Sequence, residues 1–120
     1  MSKKVLITDD SMFMRRMLRQ ICENFSSDLE IKEATNGLDA LNQCKELAPD
    51  LIFMDITMPQ MNGIEATKRI KEKYPQIKVV ICSAIAETEQ AKEAIKFGAQ
   101  ELIAKPFQAE KISAVLNLLL

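Results

Sequence analysis

The stretch Leu51-Ile52-Phe53-Met54-Asp55-Ile56-Thr57-Met58-Pro59 decides the fold of this chain. Its first four residues are apolar without alternation. A strand with one wet face alternates apolar and polar side chains, so an unbroken run describes a strand covered on both faces. An acid closes the run and a turn follows. Strands of this kind belong to parallel sheets enclosed between layers of helices.

Working outward, the same pattern recurs. Val5-Leu6-Ile7, Val79-Val80-Ile81-Cys82 and Leu102-Ile103-Ala104 are further short apolar runs, and they lead into Asp9-Asp10, Ser83 and Lys105-Pro106 respectively. Leu29 to Ala34 alternates instead, with Leu29, Ile31 and Glu33 set against Glu30 and Lys32, which suits a more exposed edge strand. The intervening segments are long enough for crossover helices. Met14, Met17, Leu18, Ile21, Cys22 and Phe25 follow a three-four step that leaves Arg15, Arg16, Arg19 and Gln20 outside. Ile64, Thr67, Lys68, Ile70 and Lys71 form a weaker stripe, and Ala91, Ala94, Ile95 and Ile112, Val115, Leu116, Leu119 give two more. Ser11, Asn36 and Asn62 offer side-chain acceptors at three helix starts, while Pro49, Pro75 and Gly98 fall just past three helix ends. Strand and helix therefore alternate five times, predicting an α/β domain whose parallel sheet carries helices on both faces. Open sheets of this class bind ligands at the carboxyl ends of their strands, the edge on which the acids fall.

Composition narrows the function. A chain of 120 residues, 48% apolar, supports one core, so residues 1–120 are read as a single domain. No segment approaches the ~18 apolar residues of a membrane span. Asp9-Asp10 follow the basic N-terminus too soon for a signal peptide, and a cytoplasmic location is expected. The formal net charge of −1 gives no general attraction to nucleic acid. Arg15, Arg16 and Arg19 make a local basic face, either solvated or a dock for an acidic partner. Cys22, Cys44 and Cys82 are odd in number and lack metal spacing, so reduced, buried thiols are expected. With no histidine, a Ser-His or Cys-His nucleophile and His-ligated zinc are excluded.

Hard oxygen ligands remain. If the first and third strands lie side by side, Asp9, Asp10 and Asp55 become neighbours, and three ionised carboxylates together require a cation. Magnesium prefers such ligands, keeps several waters and adds phosphate oxygens. Lys105 supplies a point charge for a phosphoryl oxygen, and Ser83 a hydrogen bond. Asp55, at a strand end entering a turn, suits the nucleophile of an acyl-phosphate; the adjacent Asp9 and Asp10 suit direct and water-mediated metal binding. Met12, Met17, Met58 and Met61 read as packing, and Asn62-Gly63 as turn and helix start. Two rivals fare worse. An aspartyl-phosphate-forming phosphatase of the haloacid-dehalogenase kind needs a second acid where Thr57 stands, and a mononucleotide-binding module needs a phosphate-cradling loop where Asp9-Asp10-Ser11 stand.

Taken together, Val5-Leu6-Ile7-Thr8-Asp9-Asp10, Met54-Asp55-Ile56-Thr57-Met58-Pro59 with Met61-Asn62-Gly63, Cys82-Ser83-Ala84 and Lys105-Pro106-Phe107 resemble the response-regulator receiver domain of two-component signalling. The resemblance spans the whole chain, and Phe13-Met14-Arg15-Arg16 makes it most like the stand-alone chemotaxis regulators of that family. It implies a flavodoxin-like, doubly wound sheet of order 2-1-3-4-5 with five helices. It implies Asp55 as phosphoacceptor, Lys105 and Ser83 as its catalytic partners, and Mg2+ held by Asp10, Asp55 and the backbone carbonyl of Thr57, with Asp9 acting through a water. It implies a cis Lys105-Pro106 bond. The implied partners are a sensor histidine kinase, a downstream target such as a flagellar motor switch protein, and a phosphatase; neither nucleic acid nor membrane is implied, and the chain is expected to be a monomer. The implied role is a switch that promotes only its own phosphorylation and slow autodephosphorylation. A receiver cut from a larger regulator and a non-phosphorylated scaffold are the alternatives. Thr57 and Ile85 flank the site and are expected to tune the phosphoryl lifetime. Leu102 departs from the pattern, because many receivers carry Tyr or Phe three residues before the lysine.

Overall fold

The computed structural model describes residues 2–120, Ile85 by its backbone alone. Five strands, β1 (Lys3–Thr8), β2 (Leu29–Ala34), β3 (Leu51–Asp55), β4 (Lys78–Ser83) and β5 (Glu101–Ala104), alternate with five helices. These are α1 (Met12–Phe25), α2 (Gly37–Leu47), α3 (Gly63–Lys73), α4 (Thr88–Lys96) and α5 (Ala109–Leu119), with a 3-10 turn at Ile85–Glu87 before α4. All strand pairs are parallel and the sheet order is β2-β1-β3-β4-β5. The implied order is therefore the observed one.

Alternation along each strand sends neighbouring side chains to opposite faces, and both faces are buried. Leu6, Ile52, Met54, Val79 and Ile81 pack with Ala40, Cys44, Ala66, Ile70, Ala91 and Ala94, beneath α2, α3 and α4. Val5, Ile7, Leu51, Phe53, Val80 and Cys82 pack with Leu18, Cys22, Ile112, Val115 and Leu116, beneath α1 and α5. This two-sided burial is why β3 reads as an unbroken apolar run and is buried throughout. β2, at the edge, keeps Glu30 and Lys32 exposed, as its alternation predicts.

The three polar caps form as expected. Ser11 accepts from the Met14 amide at 3.3 Å, Asn36 from Asp39 at 2.8 Å and Asn62 from Glu65 at 2.9 Å, each satisfying an otherwise unpartnered amide. All three cysteines are unpaired and buried, and burial pushes the Cys22 and Cys44 thiols up to about 12.

Some expectations are corrected. Phe25 and Ile95, assigned to apolar stripes, are exposed, because each lies at the margin of a stripe whose centre the small residues Cys22 and Ala94 already occupy. Met12 is 55% exposed beside an exposed Phe13, so it does not pack in the core. The basic face of α1 is largely consumed within the chain, since Arg15 and Arg19 both pair with Glu33. Arg16 alone of the three stays on the exposed side.

Candidate functional site

The register places the site. Thr8 pairs with Met54, so the residues that follow, Asp9 and Asp55, emerge side by side from the two central strands. One oxygen each of Asp9, Asp10 and Asp55 lies within 4.8 Å of the others. Asp9 and Asp55 are buried, at 4% and 6% exposure, whereas Asp10 faces solvent.

Lys105 comes from the far side of the sheet. Its amide donates to the Ser83 carbonyl at 2.9 Å, extending the β4–β5 pairing by one residue, and the Lys105-Pro106 peptide is cis. Its ammonium donates to Asp55 Oδ1 at 2.8 Å and to Asp9 Oδ2 at 3.0 Å. The resemblance implied Lys105 as a partner of Asp55; the bond to Asp9 is an addition. Burial alone would lower the Lys105 pKa, but the hydrogen bonds and charges of Asp55 and Asp9 outweigh it and hold it above its ordinary value. Burial pushes the Asp55 carboxyl up; the Lys105 hydrogen bond opposes this and the Asp9 charge adds to it.

Three carboxylates and one ammonium leave a formal charge of −2 at this edge. The donor set is oxygen only, and one member, Asp10, faces solvent, where waters would complete the shell of a bound ion. These features fit a hard divalent ion such as Mg2+ and do not fit a thiolate-preferring metal.

The turn that presents Asp55 depends on close packing. The Gly63 amide donates to the Ile56 carbonyl at 2.8 Å, and a methyl group on Gly63 would overlap the Asp55 carbonyl oxygen. Asn62-Gly63 was read as turn and helix start; it is also the place where α3 approaches β3 too closely for any Cβ. Gly37 plays the same part for α2, donating to the Met61 carbonyl at 2.9 Å.

Ser83 ends β4, buried, next to the same edge. It also opens a groove of about 440 Å³ between α4, β5 and α5, lined by Ala84, Thr88, Leu102, Lys111 and Val115 among others. Thr57 is exposed and its hydroxyl donates to Glu87 Oε2 at 2.6 Å. The expectation for Ile85 falls on a side chain outside the described residues.

Two contributors escaped the sequence reading. Arg15 donates from Nη1 to the Asp9 carbonyl at 2.8 Å and from Nε to Glu33 Oε1 at 2.8 Å, while Arg19 donates to Glu33 Oε2 at 2.6 Å. Glu33 is half-buried, and burial opposes its charge, but the bonds from Arg19 and Arg15 hold its carboxyl below the usual range. The backbone of Asp9 is thus tied to β2 through α1. The available signal was an acid on the inward phase of β2 with two arginines four residues apart on the next-door helix. The second contributor is Glu87, which also accepts from the Ala84 amide at 3.0 Å.

The chain matches the response regulator receiver domain family over residues 5–117. It is 47% identical over 117 residues to the chemotaxis protein CheY of Thermotoga maritima, covering 98% of this chain and 97% of that one. To the chemotaxis protein CheY of Bacillus subtilis it is 41% identical over 117 residues, with coverage of 98% and 97%. Among solved structures, the response regulator domain of Thermotoga maritima CheB superposes with a TM-score of 0.83 at 35% identity, covering 98% of this chain and 92% of that one. The REC domain of AraT, a response regulator from Geobacillus stearothermophilus, gives 0.89 at 29% identity, with coverage of 99% and 93%.

Proposed function

This chain belongs to the response regulator receiver domain family, the phosphorylation-dependent switches of two-component signalling, and from that premise we propose that it accepts a phosphoryl group on Asp55 in a chemotaxis pathway. The observation that carries the reading is Lys105, whose ammonium spans Asp9 and Asp55 in a pocket that keeps a formal charge of −2.

A carboxylate oxygen of Asp55 attacks the phosphorus of a phosphohistidine on a partner kinase. The new P–O bond forms as the P–N bond breaks, and the leaving imidazole is protonated. The donor histidine must come from another molecule, since this chain has none. Lys105, 2.8 Å from the Asp55 oxygen, moves its charge onto the transferred phosphoryl oxygens. Ser83 donates a hydrogen bond to the same group. Asp10, Asp55 and the Thr57 backbone carbonyl would hold Mg2+ directly, and Asp9 through a water. Bound there, the ion neutralises charge on the phosphoryl oxygens.

The output follows from charge. Phosphorylation adds roughly −1.5 to −2 charges at the sheet edge. Bonds that Ser83 and Ala84 make only in that state bias the loop before α4, and the groove beside Leu102 changes with it. That face is where a flagellar motor switch protein or comparable target docks. The protein is a signalling switch and not an enzyme acting on external substrates; slow loss of its own phosphoryl group, and a partner phosphatase, reset it. Among the described residues no helix is long and apolar enough to cross a membrane, and the reading places residues 1–120 in the cytoplasm as one monomeric receiver unit.

Intact mass after incubation with acetyl phosphate and Mg2+ tests the reading. A gain of one phosphoryl group is expected for the wild type, lost in Asp55→Asn and in chelator. A gain that persists in Asp55→Asn would sink the assignment.

A further inference from the structure

Glu87 sits at the N-cap position of α4, where a polar side chain ordinarily accepts from the first amides of its own helix. Among the described residues it makes no such bond. Its Oε1 accepts from the Ala84 amide at 3.0 Å and its Oε2 from the Thr57 hydroxyl at 2.6 Å. The first bond has a local explanation: an acid three residues into a helical turn reaches back to the amide that starts it. The second does not. Thr57 is thirty residues away in sequence, in the loop after β3, two positions beyond Asp55. One carboxylate thus joins the loop that follows Asp55 to the loop that follows Ser83.

We propose that Glu87 is a positioning residue, a charged latch that holds the loop between β4 and α4 in its unphosphorylated arrangement and is displaced when Asp55 is phosphorylated. The inference rests on the phosphoacceptor reading above. A phosphoryl group on Asp55 brings roughly −1.5 to −2 charges and three acceptor oxygens close to Thr57 and Ala84. It repels the Glu87 carboxylate and competes for the same donors. Because a single side chain grips both loops, its release frees both together. Ala84 and Thr88, on either side of Glu87, line the groove that holds Leu102, so the displaced loop reshapes that groove directly. Opening the latch costs free energy, which is subtracted from the affinity for any phosphoryl group on Asp55.

Beryllium fluoride, which binds a carboxylate as a tetrahedral phosphoryl analogue, tests this with Mg2+ present, read by amide NMR. The half-saturating concentration is expected to fall roughly fivefold in Glu87→Ala and by a similar factor in Glu87→Gln, the equivalent of one net hydrogen bond. The Ala84 amide resonance is expected to move upfield in both variants before any analogue is added. Thr57→Val removes the far end of the latch, so adding it to Glu87→Gln is expected to change affinity less than it does alone. Unchanged or weaker binding in both Glu87 variants, or strictly additive effects with Thr57→Val, would overturn the latch while leaving the phosphoacceptor reading intact. A wild type that fails to bind the analogue, like Asp55→Asn, would remove both.

Discussion

The two halves of the sheet edge are secured very differently. On the side of β1 and β3, every helix start is tied by a polar cap: Ser11 on α1, Asn36 on α2 and Asn62 on α3. On the side of β4 and β5, neither α4 nor α5 has a side-chain cap bond among the described residues. β3 is buried at all five positions, whereas β5 has four residues, of which only Ile103 is buried. The acids proposed to do the chemistry therefore stand on the half held by burial, capping and the Arg15–Glu33 pairing. The loop proposed to move stands on the half whose helix starts have no side-chain cap bond among the described residues. Chemistry needs fixed geometry, and a switch needs an element of low local stability.

Lys105 is the bond across that divide, and its removal is expected to have the largest effect. Lys105→Ala should slow phosphorylation by acetyl phosphate on the order of a hundredfold, since a preorganised charge at the reacting oxygens is lost; the time course of the mass gain measures this, and a rate within twofold of wild type would place the charge elsewhere.

A smaller effect sharpens the rigid half. Arg15→Ala leaves the Asp9 carbonyl and part of Glu33 without partners, at a cost of about 2 kcal/mol in urea unfolding at neutral pH. The sign with pH follows from Glu33. Its folded carboxyl lies below 4.5, the value of a free Glu side chain, so its contribution is complete above that value and is lost as pH falls through the depressed one. The gap between wild type and Arg15→Ala should therefore narrow as the medium is acidified below pH 4.5. A gap that is constant with pH would mean that the Asp9 carbonyl, not Glu33, carries the effect.

The smallest prediction compares the caps themselves. Asn62→Ala should cost about 1 kcal/mol, and Gln108→Ala, at the start of α5 where no side-chain cap bond forms, should fall within about 0.5 kcal/mol of wild type. Equal losses in the two variants would erase the asymmetry.

Much of this was legible in the order of residues. Unbroken apolar runs announced strands buried on both faces, and Ser11, Asn36 and Asn62 announced helix starts, because both signals act over a few neighbouring residues. The positions Asp9, Asp10, Asp55, Ser83 and Lys105 were legible as a set because each closes or follows a strand, and parallel strands end on one edge. Glu33 and Glu87 were not legible. Glu33 looked like one polar residue of an edge strand, and Glu87 like any acid near a helix start; their partners lie on other elements, and polar pairing across elements leaves no period in the sequence.

By itself, then, the sequence determined the alternation of strand and helix and the side chains gathered at one edge of the sheet. The tertiary structure alone decided that Lys105 grips Asp9 as well as Asp55, that two arginines of α1 turn inward to Glu33, and that Glu87 bridges Thr57 and Ala84. The reason is physical. Periodicity and capping report contacts within a turn or a strand, whereas a hydrogen bond between distant residues exists only once the packing of the sheet has set the distance between them.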